Sequence, residues 1–132
     1  MDNETTQVVN IHESECDVYI GRAGNGKDGY FGNPVRFDKR CPICQRIHRD
    51  TVTGRFDLLA CYEKYFKRRM IEDRQFFTRV LDLYGKRLGC FCKPKPCHGD
   101  VIVEWLEDNT AYLNRAESYL SELTAEDAEE LP

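Results

Sequence analysis

The chain has 132 residues, 41% of them hydrophobic and 32% charged, with seven cysteines and a net charge of −4. That length gives a single core, since domains usually hold roughly 50–200 residues, and no apolar run approaches the roughly 20 residues needed to span a bilayer. The opening MDNETTQ lacks the basic-then-apolar order of a secretory signal. The expected setting is therefore cytoplasmic, where cysteines act as metal ligands, reactive thiols or small core residues rather than as a disulfide framework.

The charge is segregated. Residues 17–100 carry 18 Lys+Arg against 10 Asp+Glu, whereas residues 1–16 hold only acids and residues 101–132 hold one Arg against nine acids. A basic body beside an acidic tail suits a phosphate-bearing ligand or nucleic acid, and it equally suits a solvated basic helix with a solubilising tail.

In chain order, residues 1–7 are expected to be a flexible N-terminus. Residues 8–12 (VVNIH) and 17–21 (DVYIG) are short β-rich runs and read as strands. Residues 22–34 (RAGNGKDGYFGNP) are glycine-rich and read as a loop. Residues 36–56 are polar and irregular. Asp57 is placed to cap a helix with Leu58, Leu59, Tyr62, Tyr65, Phe66 and Met70 on one face. Asp73 is placed to cap a second, with Phe76, Phe77, Val80 and Leu81 inward and Gly85 as its stop. Residues 88–92 (LGCFC) form a short apolar strand. A third helix is expected from near Asp100, with Val101, Ile102, Trp105 and Leu106 inward and Tyr112, Leu113, Ala116, Tyr119 and Leu120 continuing its spacing. Phe91, Trp105 and the tyrosines are expected in the core. Residues 114–132 form an acidic helical or disordered tail. This order predicts one α/β domain over residues 8–113, a small Rossmann-like sheet with flanking helices and a zinc-binding insert around 40–61. In such a sheet, ligands sit beyond the carboxyl ends of the strands.

Three motifs can carry chemistry. Cys41-Pro-Ile-Cys44 followed by His48 places two thiolates in one tight turn, where they can grip a tetrahedral zinc ion. A fourth ligand is needed; His48 and Cys61 are the nearest candidates in sequence, and Cys90, Cys92, Cys97 or His98 could instead come across in space. The second motif is residues 90–100, CFCKPKPCHGD, a strand running through a proline-stiffened loop into a helix. Its free amides and helix dipole favour an anion, with Lys93 adding charge. The same field would lower the pKa of Cys97 and make it a nucleophile, with His98 and Asp100 as acid or base. The third motif is the glycine loop, where Arg22 and Asn33 are ligand-binding candidates if they face the second motif.

These residues resemble the family catalogued as domain of unknown function number 4326, found in phages and bacteria. The resemblance rests on VVNI and DVYIGR, on GNP at 32–34, on GKRLGCFCKPKPCHGD and on the helix after it. It implies that Arg22, Asn33, Lys93, Cys97, His98 and Asp100 are site residues, and CPICQRIH followed by Cys61-Tyr62 is similar to a zinc insert of phage members, which favours Cys61 as the fourth ligand. A phage source would place the protein in the host cytoplasm. The strand–Cys–loop–CH–helix element also resembles that of another uncharacterised family, number 488, at the level of fold alone.

Two classes of function fit. In the first, the protein binds a nucleotide or other phosphate-bearing small molecule across the loops at 21–34 and 90–100, with catalysis by Cys97, His98 and Asp100. In the second, it is a non-enzymatic module that contacts a host protein or nucleic acid through the basic helix at 61–69 or the acidic tail, with zinc purely structural. Convergence of Arg22, Asn33, Cys97, His98 and Asp100 on one concavity distinguishes the first class from the second.

Overall fold

The structure is a computed structural model that describes residues 5–109. The expected continuation of the third helix through Tyr112, Leu113, Ala116, Tyr119 and Leu120, and the acidic tail, lie outside those residues. The sheet has three strands, β1 (Gln7–Asn10), β2 (Val18–Tyr19) and β3 (Arg87–Cys90), in the order β1-β3-β2. Both pairings are parallel, with Val8 opposite Leu88 and Tyr19 opposite Gly89. All three carboxyl ends therefore lie at one edge. The sheet begins at Gln7, and Thr6 is already buried, its hydroxyl accepting the Gly85 amide.

Helix α1 (Val52–Glu72) starts six residues earlier than expected, capped at Thr51 and not at Asp57. Its cap is Thr51, whose hydroxyl accepts the Gly54 amide at 2.9 Å. Gly54 masked that start, since glycine is a poor helix former. Here it is needed because a Cβ at this position would meet the Arg49 carbonyl oxygen at 1.9 Å. Asp73 does cap helix α2 (Arg74–Leu81), accepting the Phe76 amide at 3.1 Å, and its own amide closes α1 on the Arg69 carbonyl at 2.9 Å. Helix α3 (His98–Asp108) begins at His98 rather than Asp100, with Cys97 as its N-cap.

Leu58, Cys61, Tyr62, Phe66 and Met70 are the buried residues of α1, the i, i+3, i+4 stripe of a helix packed on one side. The main core joins Phe66 and Met70 to Phe76 and Val80 of α2, Leu88 and Cys90 of β3, and Ile102 and Leu106 of α3. Val35, Cys41, Leu58 and Cys61 form a second, smaller core under the 36–50 segment. Phe91 departs from expectation. It follows the last residue of β3, is 47% exposed, and stands beside the rings of His12 and Tyr19. Among the described residues, no helix is long and apolar enough to cross a membrane.

Gly99 sets how closely α3 approaches the sheet. A Cβ there would lie 2.7 Å from Ile20 Cδ1 and 2.9 Å from Val8 Cγ2. Gly99→Val should therefore lower unfolding free energy by about 1–3 kcal/mol through overpacking, measured by urea denaturation. An unchanged midpoint would contradict this packing.

Candidate functional site

Cys41 and Cys44 lie in a tight turn closed by Cys41 N–H to the Arg46 carbonyl at 2.7 Å and Gln45 N–H to the Cys41 carbonyl at 2.9 Å. Gln45 adopts the left-handed backbone that this reversal requires, at φ 68°. The turn aims amides at sulfur. Ile43 N–H donates to Cys41 Sγ at 3.3 Å and Arg46 N–H to Cys44 Sγ at 3.4 Å. Such bonds favour the thiolate, and the Arg46 amide bond is the main reason the Cys44 thiol lies below its usual range. His48 Nε2 stands 3.5 Å from Cys44 Sγ, and Cys61 reaches in from α1. The four donor atoms of Cys41, Cys44, His48 and Cys61 all lie within 4.8 Å of one another. A tetrahedral ion with bonds of roughly 2.0–2.3 Å needs donor separations of about 3.3–3.8 Å, so these residues fit a metal ion with little movement. Burial pushes the Cys61 thiol up to about 12, so its coordination would release a proton.

A second site occupies the carboxyl edge of the sheet. The loop after β2 and the loop after β3 enclose a cavity of ≈ 250 Å³, with α1 forming its floor. Arg22, Asn33, Cys97 and His98 converge on this cavity. Lys93 and Asp100 do not line it. They pair with each other through Lys93 Nζ and Asp100 Oδ1, and Asp100 Oδ2 accepts the Cys97 amide at 3.0 Å, bracing the first turn of α3.

The cavity's charge is one-sided. Arg22, Lys27 and Arg55 line it, and none of its lining residues is acidic. Arg22 donates from Nε to the Asn33 carbonyl at 2.9 Å and from Nη2 to the Val35 carbonyl at 2.7 Å. Among the described residues it has no carboxylate partner. Burial lowers its pKa from the usual value, yet a guanidinium keeps its charge. Arg55 donates to the Pro96 carbonyl, pairs with Asp50 at 3.2 Å, and lies over the Phe37 ring. The first-turn amides of His98 and Gly99 bond to nothing among the described residues, so the N-terminus of α3 adds positive potential.

His98 is 7% exposed, and its Nε2–H donates to the Ile20 carbonyl at 2.7 Å. Burial lowers its pKa, so the ring is neutral and Nδ1 keeps its lone pair. Cys97 reverses the expected direction. Its thiol is pushed up, first by contact with the Cys90 and Cys92 sulfurs and then by burial. The lowered thiol is Cys92, through hydrogen bonds from Cys90 and Cys97.

Tyr19, Lys27, Phe37, Arg55, Phe91 and Cys92 also line the cavity but were not candidates for ligand binding or catalysis from sequence. Arg55 was missed because it precedes the expected start of α1. Cys92 was visible in the CFC motif, but only as one of several alternative metal ligands.

The neutral His98 has a pH signature. In the unfolded chain its imidazole takes a proton as pH falls through about 6.5, whereas the folded ring resists until a lower pH. Its contribution to stability is therefore full above that window and declines through it. His98→Asn should cost about 1–3 kcal/mol near neutral pH, and the gap from wild type should narrow in acid. A gap that widens in acid would refute the assignment.

A family model described as "Domain of unknown function (DUF4326)" matches residues 4–108. An uncharacterized 12.4 kDa protein in the nrdA-td intergenic region of Enterobacteria phage T4 is 34% identical over 96 residues, which cover 73% of this chain and 72% of that protein. No solved structure matches the chain. With the model spanning both loops, all three strands and the Cys/His turn, the chain belongs to the DUF4326 family.

Proposed function

We propose that this protein binds a nucleotide or another phosphate-bearing small molecule at the carboxyl edge of a small Rossmann-like sheet, between the loops at 21–34 and 90–100, beside a structural zinc ion. The observation that carries this reading is a cavity lined by Arg22, Lys27 and Arg55 and by no acidic residue, at the mouth of α3. Guanidinium groups and unpartnered amides at a helix N-terminus are the groups that bind phosphate oxygens. Phe37, Leu58 and Phe91 give the same cavity apolar walls, which suits a ligand with a flat or apolar part attached to the anion. Asn33 uses its Oδ1 on the Val35 amide, leaving its NH2 for a ligand acceptor. His98, neutral and fixed by Ile20, offers Nδ1 as a proton acceptor. Lys93 pairs with Asp100, which braces the first turn of α3 through the Cys97 amide.

Zinc suits the upstream turn because three sulfurs and one imidazole make a closed structural donor set. With all four positions filled by protein, the ion would brace the 36–50 segment against α1. Cys41, Cys44, His48 and Cys61 would hold it, and none would be left open for substrate.

A thermal-shift screen of the purified chain with nucleotides, sugar phosphates and inorganic phosphate tests the ligand reading. A ligand at about 100 times its Kd should raise the melting temperature by on the order of 10 °C, and Arg22→Gln should weaken it at least about tenfold. No response to any phosphate compound from folded protein would overturn the reading and favour the non-enzymatic module. Elemental analysis of chelator-free protein should find close to one zinc per chain, and Cys41→Ser should lose it with a lowered melting temperature. Less than half an equivalent, or an unchanged melting curve for Cys41→Ser, would overturn the zinc assignment.

A further inference from the structure

Three more cysteines meet at the wall of the cavity, and the ligand reading uses none of them. Cys90 ends β3 and Cys97 caps α3, and their sulfurs lie 3.4 Å apart. Both are almost fully buried, at 1% and 2% exposed. Cys92 is half-buried and faces the cavity, so it is the member of the trio that a small reagent can reach. A turn closed by Lys95 N–H to the Cys92 carbonyl at 2.8 Å folds the chain back toward Cys97. Cys92 is the reachable thiol and also the one held below its usual pKa by its neighbours, the Cys90 and Cys97 thiols first and Arg55 after them. A thiolate is the attacking form in sulfur exchange.

We propose that Cys90, Cys92 and Cys97 form a thiol–disulfide exchange site for small-molecule disulfides, in which Cys92 attacks and Cys97 resolves the mixed disulfide. In the first step the Cys92 sulfur bonds to one sulfur of the reagent, and the other sulfur leaves as a thiolate. In the second, Cys97 loses its proton to solvent and attacks the Cys92 sulfur, expelling the remaining half of the reagent as a second thiolate. Two protein thiols are oxidised to one disulfide, the reagent is reduced to two thiolates, and the two thiol protons pass to solvent. Cys97 is assigned as the resolving partner because a bridge from Cys90 to Cys92 would close a small strained ring, whereas four residues and a turn closed on the Cys92 carbonyl separate Cys92 from Cys97. Cys90 stands against the resolving sulfur, 3.4 Å from Cys97 Sγ.

The test is titration of the native, metal-loaded chain with less than one equivalent of 5,5′-dithiobis(2-nitrobenzoate). Each reagent molecule consumed should release two thionitrobenzoates and leave no adduct mass on the protein. Prolines follow Lys93 and Lys95, so trypsin leaves all three cysteines in one peptide. After the free thiols are alkylated, fragmentation of that peptide should show Cys90 alkylated and Cys92 joined to Cys97. Cys97→Ser should release one thionitrobenzoate per reagent and keep the adduct on Cys92, and Cys92→Ser should react at least tenfold more slowly. Initial labelling of Cys16 or Cys44 in the folded chain, or a wild-type Cys92 adduct that never resolves, would overturn the proposal. Melting curves identify any variant that does not fold, and the wild-type stoichiometry and linked peptide then decide the matter. The chemistry needs no bound anion, so its failure leaves the phosphate reading standing and the reverse also holds.

Discussion

The structure turns on how the first turn of α3 docks against the end of β2. His98 donates to the Ile20 carbonyl at 2.7 Å, and Gly99 lets the helix approach Ile20 and Val8 to a distance that a side chain would block. The Ile20 carbonyl lies just past the last residue of β2. Filling it with an imidazole ties the third helix to the sheet edge, where Cys97 and His98 line the same cavity as Arg22 and Arg55. A buried neutral histidine is an economical tie because it donates one hydrogen bond without bringing a charge inside.

Two chemical environments result from one short chain. In the first, backbone amides converge on the Cys41 and Cys44 sulfurs and a small separate core closes around them. In the second, thiols converge on one another at a cavity wall that carries arginines. The first environment suits a closed ion site. The second keeps a sulfur at the surface of a cleft. The link between them is α1, which supplies Cys61 to the first and Arg55 and Leu58 to the second.

Much of this was legible in the residues. Asp73 ahead of an apolar stripe announced a helix start, and CPIC with a following histidine announced a metal-type turn. The convergence of Arg22, Asn33, Cys97 and His98 followed from strands that end at one edge. What escaped depended on contacts that exist only once the local turns are folded. Gly54 looked like a loop residue because the nearby Arg49 carbonyl that requires it is a feature of the folded turn. Cys97 looked like an activated thiol because a helix N-terminus lowers a cysteine pKa, but contact with Cys90 and Cys92 acts first and in the opposite direction. Lys93 read as positive charge for an anion and Asp100 as an acid or base, yet the two pair with each other.

The junction at Asp73 has a consequence of its own. One residue ends α1 with its amide and starts α2 with its carboxylate, so no linker lies between the two helices. Their corner cannot act as a hinge, and an inserted or deleted residue there would part the two caps and rotate Phe76 and Val80 out of the core. Changes in chain length can be absorbed in the 22–50 arm, which holds turns and bridges but no long helix or strand. The corner is a fixed joint, and variation in length belongs to the arm.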